Sequence, residues 1–571
     1  MINQVAERTI ARVLGFGSAF IAVVVVTGTV TDPVNVTKLF ALGGVSVAAF
    51  AVVLGFGLRE VWASSRVLIV LVGLFLVASI NAIANSSAPL TQNIYGVFGR
   101  NTAFLTYVLL IFVILSVVVL HSAKSFSTLI WGLFIAGAIN VIYCGWVILF
   151  GDFIPWNNPY GNILGTFGNP NFIGAFLGMF AASLVAYNFK SGLHIGLRIL
   201  SVVIFVISVV EIIDSSAIQG RVVVAAGLAI VGFYFVRSKF KSALFQVGYI
   251  IIVSIGGVFA LLGALQSGPL AKYIYKTSVS LRGEYWQAGW NMGTEHPLTG
   301  VGFDTYGDWY RRAREAQALI LPGPNTTTNA AHNVPFDVFA FGGWPLFIPY
   351  LGILLLTVIA ILKVTVRNRS YDPIFVTLTT AWVCYQLQSI ISINQIGLAI
   401  WGWLFGGALI AYEMTTRPKS AGDGEKVQPE KGQKVRATTK KQSEAIFSST
   451  LVAGVGAVIG LLIAVPPYSG DAKWRSAIGS QNVQQVEAAL VSSYLNPMNS
   501  YKYANAVQLL EGSKLHDLAL KYAKIGVEFN PDHFDSWKLL YFITASTPED
   551  EALALENMKR LDPKNPDVTA Q

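Results

Sequence analysis

Charge is what this chain has least of. Only 12% of its 571 residues are Asp, Glu, Lys or Arg, while 54% are hydrophobic; soluble domains carry about 25% charged residues. That excludes an ordinary soluble globule and places the chain in a bilayer. Cysteine is scarce as well. Cys144 and Cys384 each lie inside an apolar run, which indicates neither a disulfide framework nor a cysteine metal site. No Gly-rich phosphate loop and no Asp-x-Asp cluster occurs on the outer side, so nothing points to a nucleotide sugar or a carboxylate-bound metal. The net charge of +9 is spread over many short connections rather than gathered into a basic patch with interleaved aromatics, which argues against nucleic acid.

What the chain does have is a long series of apolar runs. Largely uncharged stretches of about 20 residues, enough to cross a bilayer, fall at 10–30, 39–57, 67–84, 103–120, 128–150, 171–187, 196–213, 218–236, 245–265, 337–362, 373–391, 394–413 and 446–466. The first run follows a polar start with Arg8 and Arg12 and lacks a small-residue cleavage site, so it reads as a retained helix. Basic residues recur in alternate connections, among them Arg59 and Arg66, Lys124, Lys190 and Arg198, Arg237, Lys363 and Arg367. Such loops stay cytoplasmic. The opposite short loops carry only Lys38, Arg100 and Arg221, and they share their side with one long polar loop, 266–335. The expected topology has the N-terminus cytoplasmic and that loop outside, in a cytoplasmic membrane.

The long loop concentrates the chemistry. It holds Leu281-Arg282-Gly283-Glu284-Tyr285-Trp286, the turn Pro297-Leu298-Thr299-Gly300-Val301-Gly302-Phe303, and Ala331-His332-Asn333, with Gly342-Gly343 just inside the next span. Residues 1–413 thus form a polytopic membrane domain. Residues 414–445 mix Lys, Arg, Asp and Glu without hydrophobic periodicity and read as a disordered cytoplasmic linker. The run 446–466 returns the chain across the membrane, so the tail 467–571 shares the side of the long loop. In that tail Asn496-Pro497, Asn530-Pro531 and Asp562-Pro563 recur at spacings of 34 and 32 residues. A period near 34 with proline closing each helix pair suggests tetratricopeptide-like repeats, a helical cap or a docking surface for a protein partner.

Taken in order, these motifs resemble the O-antigen ligase and polymerase superfamily of bacterial membrane glycosyltransferases. Asp32-Pro33 before Lys38, Phe98-Gly99-Arg100, Gly165-Thr166-Phe167-Gly168-Asn169-Pro170-Asn171, and Gln388-Ser389 through Ile393-Asn394 extend the likeness over residues 30–412. The resemblance implies an all-α, lipid-sugar glycosyltransferase-like fold. It also implies transfer of a glycan from a polyprenyl-diphosphate donor to an acceptor hydroxyl at the outer face, without metal or other cofactor; the acceptor is a glycan, a lipid or a protein.

Site residues follow from that resemblance and from side-chain chemistry. Arg282, permanently charged and able to grip diphosphate oxygens as a fork, is expected to bind the donor and stabilise the leaving group. His332, with an ordinary pKa near 6.5, is expected to handle the acceptor proton. Arg221, Arg100 and Lys38 are further diphosphate candidates, although Gly220 and Val222 flank Arg221 where the family pattern has serine and glycine. Trp286 and Trp290 share a helical face with Arg282 and, with Asn333 and Asp304, are expected to line the cleft; the alternative for the indoles is an interfacial aromatic belt. Asp304, Glu284 and Asp308 all compete to orient His332. His296, His121 and His194 look incidental, and His516 and His533 belong to the repeats. The Gly165–Asn171 segment shapes a lipid entrance or simply opens a helix. Ligase, polymerase and protein-glycosylating activities share these motifs. A lipid-linked glycan transporter is the reading from another class, disfavoured because no half of the membrane domain repeats.

Overall fold

The computed structural model describes residues 2–275, 277–418 and 448–570. The chain is all-helical, and no β-strand occurs among the described residues. Eleven helices are long and apolar enough to cross a membrane. Together with Gln4–Val23 and the shorter Phe104–Val117 they account for each expected span. Most of the linker expected at 414–445 lies outside the described residues; the preceding helix, Ile396–Thr415, runs slightly past the expected end of the membrane domain.

Three boundaries differ from the hydropathy reading. The first helix stops at Val23, and residues 24–34 continue without helix, although Val24, Val25 and Val26 are as apolar as a span. The reason is Lys38. Its fully buried ammonium donates to the carbonyls of Ile21, Ala22 and Val24 at 2.9, 2.6 and 3.2 Å, satisfying acceptors that a helix end leaves open. The last span is not confined to 446–466 but is one helix, Ser449–Gly479, that runs through Pro466 and Pro467. Its far end supplies Trp474 and Ala477 to the core of the tail. The membrane domain and the tail are therefore joined by a continuous rod.

That rod packs along Asn35–Phe56 through small residues. A Cβ placed on Gly460 would lie 2.0 Å from the Gly43 carbonyl oxygen, and one on Gly456 would lie 2.8 Å from that of Val47. Close backbone approach is how membrane helices gain packing energy where lipid removes the hydrophobic incentive to associate.

The third difference is the long loop, which is folded. It forms Ala271–Ile274, Thr277–Glu295, Tyr306–Ala313 and Gln317–Ile320. Its glycine turn plugs a break in the next membrane helix, Val334–Arg367, where Gly342 and Gly343 leave helical geometry. The break frees the carbonyls of Ala340 and Phe341, which accept from the backbone N–H groups of Val301 and Gly302 at 2.9 and 3.0 Å. Gly343 has φ 59° and stands so close to the Pro297 carbonyl that a Cβ would sit 2.4 Å from its oxygen, so only glycine fits there.

The tail stacks Ser500–Gly512, His516–Phe529, Phe534–Phe542 and Pro548–Leu561 around its own apolar cluster. It sits directly on the folded loop, so the two lie on the same side of the membrane domain. The residue before each repeated proline is buried: Asn496, Asn530 and Asp562. Asn496 accepts from Lys502 within the tail. Asn530 donates to Gln92 and Asp308, and Asp562 accepts from Arg311 and Arg314 of the loop.

Candidate active site

The site is built where the loop helices, the segment 96–101 and the start of Val334–Arg367 converge. Asn333 caps that helix by accepting from the N–H of Phe336 at 3.1 Å. Asp337 reaches back to accept from the N–H of Ala331 at 2.7 Å. Between these two restraints His332 is held at φ 55°, a left-handed conformation that is uncommon without glycine and marks an over-determined position. Its imidazole lies beside the Tyr285 ring, with centroids 5.6 Å apart.

Electrostatics define the site most sharply. Burial, and then the positive charges of Arg100 and Arg282, hold His332 down to about 3, so its imidazole is neutral at physiological pH. The two guanidinium groups expected on chemical grounds therefore both bear on this histidine. Arg100 donates to the side chain of Asn329; burial lowers its pKa, and Asp304 and Asp337 partly offset that. Arg282 is lowered by burial alone. Among the described residues it makes no hydrogen bond and no ion pair. A half-buried cation without a counter-ion is costly to maintain.

Asp304 is buried, stands at φ 55° and accepts from the N–H of Val97 at 2.8 Å. Burial raises it to about 6 against the pull of Arg100. It positions the Arg100 segment. None of Asp304, Glu284 and Asp308 hydrogen-bonds to His332: Asp308 instead accepts from Gln92 at 2.8 Å, and Glu284 is raised by burial and by Glu315.

Trp286 and Trp290 do share a face with Arg282, and their rings pack on the membrane helix, Trp286 on Phe336 at 6.1 Å and Trp290 on Phe339 at 5.2 Å. They seat the Arg282 helix, and Trp290 keeps part of its ring exposed. Lys38 lies elsewhere: its ammonium donates to the three carbonyls at the end of the first helix. Thr166, from the Gly165–Asn171 turn, donates to the same Ala22 carbonyl at 2.9 Å, so that segment is part of the buried knot around Lys38. Arg221 is exposed at the start of Ile218–Lys239, beside the contact between Gln219 and the Asn171 carbonyl. Among the described residues no hydrogen bond or ion pair joins it to His332.

Sequence reasoning missed Asp337, Asn329 and Tyr285, which hold or flank His332 and Arg100. Only Asp337 had a local signal, an acid in the first turn of a helix. Among the described residues no group of three or more His, Cys, Asp or Glu side chains is gathered as a metal site would need.

The fold and this site define a polytopic helical membrane protein with a polar, cationic centre beside its membrane helices. Residues 161–351, about a third of the chain, match the family model for O-antigen ligase, and that match supports a place in the O-antigen ligase superfamily. The matched stretch contains Arg221, Arg282, His332 and the helix break at Gly342. No curated protein matches the chain.

Proposed function

We propose that this membrane glycosyltransferase of the ligase and polymerase family moves a glycan from a polyprenyl-diphosphate donor to an acceptor hydroxyl. Arg282 carries the reading, because it is a half-buried guanidinium with no partner among the described residues, placed where it acts on His332. The donor diphosphate would bind to Arg282 and Arg100 through charge-assisted hydrogen bonds. Their charges would then be compensated, which removes the part of the lowering of His332 that the two arginines cause and leaves the part due to burial. The acceptor oxygen attacks the anomeric carbon and the bond from that carbon to the phosphate oxygen breaks. Polyprenyl diphosphate leaves with the electron pair while His332 takes the acceptor proton.

In this reading the donor bond supplies the driving force and no metal takes part, so chelation with EDTA leaves turnover unchanged. Arg221 provides a second phosphate contact only if the donor spans to the Ile218 helix. The outer face of a bacterial cytoplasmic membrane is the side on which such donors are used, and the tail shares it. The deciding experiment incubates purified protein with lipid-linked oligosaccharide and separate glycan, lipid and protein acceptors, and identifies products by mass spectrometry. Release of polyprenyl diphosphate without any glycosylated product would overturn the proposal.

A further inference from the structure

Between the tail and the folded loop lies a cavity of about 730 Å³, within the size range of small-ligand sites. From the membrane domain it is lined by Phe98, Asp308 and Asn329, among others; from the tail by Tyr501, Asn505, Gln508, Asp535 and Lys538. Phe98 and Tyr501 stack across the junction with centroids 3.9 Å apart and rings 5° from parallel. The side chains of Asn505, Gln508, Asp535 and Lys538 make no hydrogen bond or ion pair among the described residues. Four polar groups on one wall are thus open to the cavity and to solvent.

We propose that this cavity is a saccharide-binding subsite, formed jointly by the tail and the loop, that holds a glycan chain next to the candidate transfer site. The chemistry of its wall favours a polyhydroxyl ligand. Two carboxamides both donate and accept, one carboxylate accepts and one ammonium donates, which suits hydroxyl groups that themselves donate and accept. One acid and one base cancel, so the wall has no net preference for a phosphate or another anion. The exposed Phe542 at its rim offers flat apolar surface to the C–H faces of sugar rings.

The cavity is coupled in space to the transfer site. Asn329 lines it and accepts from Arg100, and His332 follows three residues later. Gly96 and Val97 also line it, and Asp304 holds the Val97 N–H. The wall is preformed, because ion pairs clamp the tail to the loop, Arg314 with Asp562 fully buried and Arg312 with Asp532 partly so.

This inference rests on the proposed glycosyl transfer for its function, and the ligand is either the glycan of the donor or a glycan acceptor. The test uses full-length protein in detergent and, as probe, the surface polysaccharide of the native cells freed from lipid by mild acid. The double variant Asn505→Ala, Gln508→Ala is expected to bind that glycan at least tenfold more weakly than wild type, with kcat unchanged and KM for one glycan substrate raised at least tenfold. A raised donor KM assigns the subsite to the donor chain, and a raised acceptor KM assigns it to the acceptor. Lys538→Ala, at an exposed position, provides a second variant should the first misfold. Wild-type binding of none of the released glycan, or equal binding by the variants, overturns the subsite. Absence of any transfer product from wild type overturns the proposed function instead, and the binding measurement stands apart from it.

Discussion

The Arg314 guanidinium lies 2.6 Å from a carboxylate oxygen of Asp562, and neither side chain reaches solvent. Arg311 reaches the other oxygen at 2.9 Å. One carboxylate from the end of the tail thus holds two arginines of the folded loop. Removing it leaves two buried cations uncompensated, a loss of about 3–5 kcal/mol when one partner of a buried pair is deleted. Asp562→Ala is therefore expected to release the tail, read as faster limited proteolysis of residues 483–570 and a lower melting temperature. Asp562→Leu combined with Arg311→Met and Arg314→Met should recover much of the loss, since apolar groups of similar volume replace a buried pair at little cost. Unchanged proteolysis in Asp562→Ala would show that the tail is held by other contacts.

Arg282 and His332 should separate by kinetic step. Arg282→Lys keeps the charge but loses the bidentate fork, so donor affinity is expected to fall at least tenfold, roughly 1.4 kcal/mol. His332→Ala should bind donor normally and lose about 10² to 10⁴ in single-turnover transfer. Wild-type transfer by His332→Ala removes the histidine from the mechanism, and unchanged donor affinity in Arg282→Ala removes the arginine.

The depressed pKa of His332 has a definite sign. The unfolded imidazole titrates near 6.5 and the folded one near 3, so between those values the unfolded chain binds more protons and stability falls as pH falls. Above pH 6.5 the group imposes no penalty. His332→Ala should flatten the pH dependence of the melting temperature between about pH 6.5 and 3. With donor bound, compensation of Arg100 and Arg282 should move the acid limb of kcat above that of kcat/KM for the donor. Identical limbs would mean the anion does not neutralise these arginines.

Lys38 provides the control. Lys38→Met removes three hydrogen bonds from an ammonium to carbonyls; Ala22 keeps its bond from Thr166, while the carbonyls of Ile21 and Val24 lose theirs at about 1–3 kcal/mol each. Thermal stability should drop while the donor Kd of the folded fraction stays as in wild type. A weakened donor Kd at unchanged stability would return Lys38 to the diphosphate.

The contrast between Lys38 and Arg100 shows where sequence reading stops. Both are basic residues in short loops otherwise poor in charge, and nothing local separates them. One folds onto the first helix's carbonyls and the other points toward His332, because side-chain direction is set by which helix ends happen to meet. The tail shows the same limit differently. Its 34-residue period was visible, and so was the proline that ends each unit. That the residue before the second and third prolines joins the tail to the loop depends on partners, Gln92, Asp308, Arg311 and Arg314, that lie more than 200 residues away in the chain.

What the sequence by itself determined is the part governed by local physics. Apolar length sets the number of membrane helices, because a backbone in lipid must satisfy its own hydrogen bonds. The four-residue spacing of Arg282, Trp286 and Trp290 sets their common face. Only the tertiary structure decided that the polar loop is a folded plug in the helix break at Gly342–Gly343, that Arg100 and Arg282 bear on one neutral histidine, and that the tail closes a cavity beside them. Those are long-range relations. Charge acts through space and helix ends dock by shape, so neither leaves a period or a motif in the linear chain.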